Sequence, residues 1–280
     1  MRYQYRLQNV FAFPGQPLTG NPLCVFEDGD GLSDQEMQAL ALQFNLSETT
    51  FIFRDVEATA RMRIFTPGSE LPFAGHPTLG TAHAVRDIKG TGNQLTLATQ
   101  AGVIPVSAIG NRWTLRANAP SSRPFDAERL DALLAALGLA RADLAADPLW
   151  VNTGMEQLLV PLASKDAVHK AQGGQGLAEF AGASGVKVYV FSPLDETEML
   201  TRFFFDRSPG LISEDPATGS ACANLGGYVV LTGRQLPLAR TLRQGEYTGR
   251  SSLLQLAVSA DQRILVTGEV IELGRGHIDL

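Results

Sequence analysis

Along most of this chain apolar and polar positions alternate, and a helical period replaces the alternation in a few stretches. Residues 3–12 predict a short strand, and "GNPLCVFEDG" predicts a second with turns at both ends. "LSDQEMQALALQFN" predicts a helix, because Ser33 and Glu36 form an S-x-x-E capping box and Met37, Leu40 and Phe44 recur at helical spacing. "SETTFIFRD" and "TARMRIFTP" alternate like strands. Strand-type runs follow at 94–99, 102–109 and 112–117, the last two joined by the hairpin signal Gly110-Asn111. The Pro- and Ser-rich residues 118–126 are the best linker candidate. "DAERLDALLAALG" then predicts a helix with Asp126 as cap, Leu130, Leu133, Leu134 and Leu137 on one face, and Gly138 as stop. Strands are predicted again at 186–191, 199–205, 252–259 and 263–273. The pattern is that of an α+β protein in which each half is a curved sheet around one buried helix.

Two small-residue stretches carry the halves. "HPTLGTA" (76–82) lies over "DPATGSA" (215–221) with proline, glycine and alanine coinciding, and 139 positions separate His76 from Asp215 in a chain of 280 residues. A match half a chain apart predicts two similar halves. Each stretch has the grammar of a helix start: Asp215 as N-cap with Pro216 in the first helical position, and His76 with Pro77 in the same two places. Small residues there would let an anion approach free backbone N–H groups, although they equally permit tight helix–sheet packing. Glu48 stands at the start of an apolar strand, a setting that general acid–base chemistry uses.

Length suits two domains, and 44% hydrophobic with 19% charged residues suits a packed globular chain. A net charge of −6 gives no electrostatic footprint for nucleic acid. No apolar run approaches a membrane span, and "MRYQYRLQNVFAF" lacks the apolar core of a signal peptide, so a cytoplasmic setting is expected. Cys24 and Cys222 make neither a CxxC pair nor a disulfide framework. The four histidines, His76, His83, His169 and His277, form no metal-ligand pattern, and no P-loop or complete GxGxxG is present. No metal and no cofactor are expected. The partner expected is a small anionic carboxylate, with no nucleic acid and no membrane.

The segments "FPGQPLTGNPLCVF", "NLSETTF", "FTPGSELPFAGHPTLGTAH", "RFFFDRSPGLISEDPATGSA" and "RQGEYTGRSS" occur in one order across residues 11–252. Together they resemble the phenazine-biosynthesis isomerase-like (PhzF-like) family, which shares its fold with diaminopimelate epimerase. The resemblance implies two pseudo-symmetric domains, each a barrel-like, mostly antiparallel sheet on a central helix, with the site in the cleft and a homodimer as the usual state. The expected divisions are 1–120, 121–265 and a C-terminal strand region 266–280 that returns to the first domain. The family's catalytic carboxylate matches Glu48, and its histidine, aspartate and serine match His76, Asp215 and Ser220. Gly75 and Gly219 match positions near the substrate carboxylate, and Ser47, Pro77 and Thr218 complete the candidate substrate-binding set. Diaminopimelate epimerase uses one cysteine from each half. Here neither stretch carries a cysteine at its helix start; Cys222 lies one turn in, with His83 as its counterpart, so two-thiol chemistry is disfavoured. Cys222 reads as a packed small residue and His83 as a satisfied helix histidine.

Three functional readings follow. The first is a metal- and cofactor-independent isomerase in which Glu48 moves a proton between carbons of a small carboxylate, with His76, Asp215 and Ser220 orienting the substrate. The second is an epimerase or racemase in which Glu48 and Asp215 serve as opposed bases. The third is a non-catalytic binding protein that keeps the pocket.

Overall fold

The computed structural model describes residues 1–208 and 210–280. Pro209, inside the "RFFFDRSPGLISEDPATGSA" segment, lies outside the described residues. The chain begins with β1 (Arg2–Val10), β2 (Asn21–Phe26), α1 (Asp34–Phe44), β3 (Glu48–Phe53), β4 (Ala60–Phe65) and β5 (Glu70–Leu71). It continues with α2 (Gly75–Lys89), β6 (Gln94–Thr99), β7 (Gly102–Ile109), β8 (Arg112–Arg116), β9 (Ser121–Pro124), α3 (Leu130–Ala136), β10 (Leu149–Asn152) and β11 (Glu156–Pro161). Then come α4 (Lys165–Lys170), α5 (Gln175–Ala181), β12 (Lys187–Pro193), β13 (Glu198–Ser208), β14 (Leu211–Asp215) and α6 (Gly219–Leu231). β15 (Leu238–Gln244), β16 (Ser252–Val258) and β17 (Ile264–Asp279) complete it. Two compact units result, one of Met1–Arg116 with Thr267–Leu280, the other of Ala117–Val266. Among the described residues no helix is long and apolar enough to cross a membrane.

In the first unit the strands close on themselves. β17 pairs with β1, β1 with β2, β3 with β4, β6 with β7 and β7 with β8, all antiparallel, while β2–β3 and β4–β6 are parallel. The β8–β17 pairing closes the ring of eight strands and leaves it without a free edge. α2 fills the barrel. Its residues from Gly75 through Ala82 are all buried, as a helix enclosed on every side requires. Its hydroxyls are satisfied inside: Thr78 Oγ1 donates to the Ala74 carbonyl at 2.7 Å, and Thr81 bonds Thr50 at 2.8 Å. At Gly80 the helix comes so close to the sheet that an added Cβ would lie 2.4 Å from Leu23 and 2.9 Å from the Gln8 side-chain oxygen. α1 lies on the outer face, where Met37, Leu40 and Ala41 pack on Phe26, Phe51, Phe53 and Phe65. The predicted Ser33/Glu36 capping box starts it.

The second unit repeats the order. β9–β10, β10–β11, β12–β13, β13–β14 and β15–β16 are antiparallel, and β11–β12 and β13–β15 are parallel. α6 packs as closely as α2: a Cβ on Gly226 would meet Ile264 at 2.6 Å, and one on Gly227 would meet Pro120 at 2.9 Å. α3, α4 and α5 cover the outer face through Leu133, Leu134, Val168 and Leu177 on Val188 and Val190. Asp126 caps a single 3₁₀ turn at Ala127–Arg129 that leads into α3. The expected linker 118–126 is in part a strand, because Ser121–Pro124 pairs with β10.

Register corrects the way the halves superpose. Thr50 faces Ile64 and Tyr189 faces Phe203, so β3 and β4 relate to β12 and β13 by 139 positions. Across the next hairpin Phe65 faces Glu70 but Phe204 faces Glu214, so the second hairpin is five residues longer. From there the offset is 144: β5 ends at Leu71 and β14 at Asp215, and α2 starts at Gly75 and α6 at Gly219. A bidentate Arg–Glu pair spans each hairpin, Arg63 with Glu70 and Arg202 with Glu214. Asp215 therefore ends a strand and is not an N-cap; Thr218 holds that place, and Pro216 precedes the helix. Ala74, not His76, is the N-cap of α2, and His76 and Pro77 are its second and third residues. The two prolines coincide in sequence because proline tolerates both a first helical turn and a strand–helix turn. The counterpart of Cys222 becomes Thr78 rather than His83.

The close approach at Gly80 gives the first prediction. Gly80→Val is expected to destabilise the protein by about 1–3 kcal/mol through overpacking. Gly92→Ala, where nothing lies within 4 Å of the added atom, is expected to change stability by less than about 0.5 kcal/mol. Urea denaturation of the two variants checks both.

Candidate active site

In the first unit one parallel strand pair places two functional groups. Glu48, the first residue of β3, sits beside Leu23 of β2, and the carbonyl of Pro22 next to it faces the His76 ring. His76 reaches that point because α2 begins at Gly75, inside the barrel mouth. His76 Nδ1 lies 3.0 Å from Glu48 Oε2, with side chains only 4% and 16% exposed. His76 Nε2 lies 3.3 Å from the Pro22 carbonyl. A backbone carbonyl can only accept, so this contact puts a proton on Nε2, and Nδ1 faces the Glu48 carboxylate. Ser47, half-buried, precedes Glu48, and buried Gly75 and Pro77 flank His76.

In the second unit β14 carries Asp215 to the edge of the turn into α6. Thr218 Oγ1 donates to Asp215 Oδ2 at 2.5 Å, and the Gln244 amide donates to the Asp215 carbonyl and to Thr218 Oγ1, both at 2.9 Å. The "RQGEYTGRSS" segment is built against this turn: a Cβ on Gly245, at φ +81°, would fall 2.5 Å from the Pro216 carbonyl. Ser220, the second residue of α6, accepts from the Gln157 amide at 2.9 Å. Ser220 thus occupies in its helix the place that His76 occupies in α2. Neither helix start has a side-chain cap bond or an acidic residue in its first turn, so the helix dipole at each start favours an anion.

The family described as phenazine biosynthesis-like protein matches residues 10–276. The chain belongs to the phenazine biosynthesis-like family. An uncharacterised isomerase of Pasteurella multocida is 37% identical over 278 residues, covering 99% of this chain and 94% of the relative. The trans-2,3-dihydro-3-hydroxyanthranilate isomerase of Pseudomonas aeruginosa is 34% identical over 279 residues, covering 93% of each. A crystal structure of a PhzF family protein from Bacillus anthracis superposes with a TM-score of 0.86 at 24% identity over the whole of both chains. The fold is that of PhzF and diaminopimelate epimerase, and this PhzF-like protein is an isomerase.

Both thiols of this PhzF-like isomerase are buried, and burial pushes their pKa values up, which makes them poor nucleophiles. His83 accepts from the Trp113 indole N–H at 3.3 Å, well inside α2. Among the described residues no group of three or more His, Cys, Asp or Glu side chains could hold a metal ion. Sequence reasoning passed over Gln157, Asn224, Thr153 and Gln244, the polar residues that surround Ser220 and Asp215. Gln157 and Asn224 carried a signal, since each is a lone amide in an apolar run, "EQLLV" and "SACANLGG".

His83 yields a pH prediction. Burial first, and then the Arg86 guanidinium, push its pKa down to about 4 from 6.5. The unfolded chain then binds the extra proton between about pH 6.5 and 4, so this residue lowers stability as pH falls through that window. His83→Gln, which keeps an acceptor for the indole, is expected to flatten the fall. Urea midpoints from pH 7 to 4 measure it; an unchanged slope would rule the effect out.

Proposed function

We propose that this PhzF-like isomerase moves a proton between carbons of a small carboxylate substrate, with Glu48 as the acid and base. The observation that carries the reading is the buried Glu48–His76 pair, with 3.0 Å between Oε2 and Nδ1. Glu48 Oε2 faces His76 and is closed to solvent, while the side chain keeps 16% exposure, so the other carboxylate oxygen is the one that takes a C–H proton. The carboxylate takes the proton from one carbon and returns it to another, and the substrate's electrons shift between them, so the sum of atoms is unchanged. His76 steadies the proton on the carboxyl between the two steps. The helix dipole at the α2 start favours the substrate carboxylate. Asp215 and Ser220 take its amino and hydroxyl groups, a role that rests on the family resemblance. No step passes through a metal or cofactor. The homodimer rests on the same resemblance.

The trans-2,3-dihydro-3-hydroxyanthranilate named for the Pseudomonas aeruginosa relative is the first compound to test, beside a panel of small amino and cyclic carboxylates. In D₂O, followed by NMR, the wild type is expected to place deuterium at carbon. Glu48→Gln is expected to lose that exchange by about 10²–10⁴-fold with its thermal midpoint retained. Label on a carbon other than the one deprotonated marks an isomerase; label on the same carbon with inversion marks an epimerase. Wild-type exchange in Glu48→Gln, or none by wild type with any compound it binds, would sink the reading.

A further inference from the structure

Behind Ser220 runs a chain of hydrogen bonds whose direction is set at its far end. The Thr153 backbone N–H donates to Asn224 Oδ1 at 2.8 Å, and the Thr153 hydroxyl donates to the same atom at 2.7 Å. A backbone N–H can only donate, so the Asn224 atom facing it is the oxygen. Asn224 Nδ2 then points to two acceptors, the Met155 carbonyl and Gln157 Oε1, each at 2.8 Å. The Met155 carbonyl can only accept, so both ends of the Asn224 amide agree on its orientation. With its oxygen committed to Asn224, Gln157 presents Nε2 to Ser220 Oγ at 2.9 Å. Asn224 is fully buried and Gln157 and Thr153 nearly so, so water offers little competition and a reversed amide would leave buried groups unpaired.

We infer that Gln157 and Asn224 are positioning residues that hold Ser220 as a hydrogen-bond donor toward the substrate. Ser220 Oγ accepts from Gln157, which leaves its own proton for another partner. The group it meets is an acceptor oxygen of the substrate, a carboxylate or hydroxyl oxygen, and not an ammonium. This rests on the proposed role of Ser220 as a substrate contact and narrows it. The first unit has no copy of the device: at the offset of 144 the residue matching Asn224 is Gly80, which carries no side chain.

Reversing the chain tests it. In Gln157→Glu one carboxylate oxygen still accepts from Asn224, while the other offers an acceptor to Ser220 and turns its proton inward. With trans-2,3-dihydro-3-hydroxyanthranilate in the deuterium assay, Gln157→Glu is expected to lower kcat/KM by about tenfold to a hundredfold, as Ser220→Ala does. The double variant is expected to lose nothing further, because Gln157 acts only through Ser220. Gln157→Met, which frees the hydroxyl without reversing it, is expected to lose less. Acidification is expected to restore activity in Gln157→Glu alone, because a protonated carboxyl donates to Ser220 again; a misfolded variant regains nothing. The inference is overturned if Ser220→Ala is impaired while Gln157→Glu matches the wild type, or if their losses multiply. A Ser220→Ala variant with wild-type kcat/KM overturns the contact role itself, and with it this inference.

Discussion

At Gly80 the α2 backbone lies so near β1 and β2 that an added Cβ would fall 2.4 Å from Leu23, and this contact sets how deep the helix sits in its barrel. Much of the first unit follows from it. A helix enclosed on every side must be lined by small or internally bonded residues, which is what the run from Gly75 to Ala82 supplies. The eight strands can close around so slender a helix only if a last strand returns from the chain end, and β17 does so between β8 and β1. The depth of α2 also decides where its first turn emerges, and there His76 meets Glu48.

The second unit keeps the packing and changes the chemistry. The strand order, the parallel crossovers, the close-packed helix glycines and the Arg–Glu pair across the hairpin all recur. Glu48 opens β3, and Lys187, exposed, opens the matching strand β12. His76 and Ser220 are each the second residue of the central helix. Burial constrains positions that touch the helix, so those survive duplication; a residue at a barrel mouth has open space before it and is free to diverge.

Much of this was legible in the residues. The α1 capping box, the Gly110-Asn111 hairpin and the period of "DAERLDALLAALG" are local signals, and local physics decides them. The small-residue stretches did mark the two central helices. They misled on register, because "HPTLGTA" and "DPATGSA" align at 139 positions while their helices start 144 apart. Five extra residues in the β13–β14 hairpin cause the shift, and nothing in the composition of the stretches records them.

The amino-acid sequence by itself determined the α+β class, the doubled plan and the family, and it supplied the candidate site residues. Each rests on spacing or on an ordered set of motifs. Only the tertiary structure decided which of those residues meet. Glu48 finds His76 through the pairing of β2 with β3, and Ser220 finds Gln157 across 63 positions of chain. Such partnerships depend on strand register and helix depth. Both are set by how side chains fill the space between sheet and helix, a property of the folded whole that no local stretch encodes.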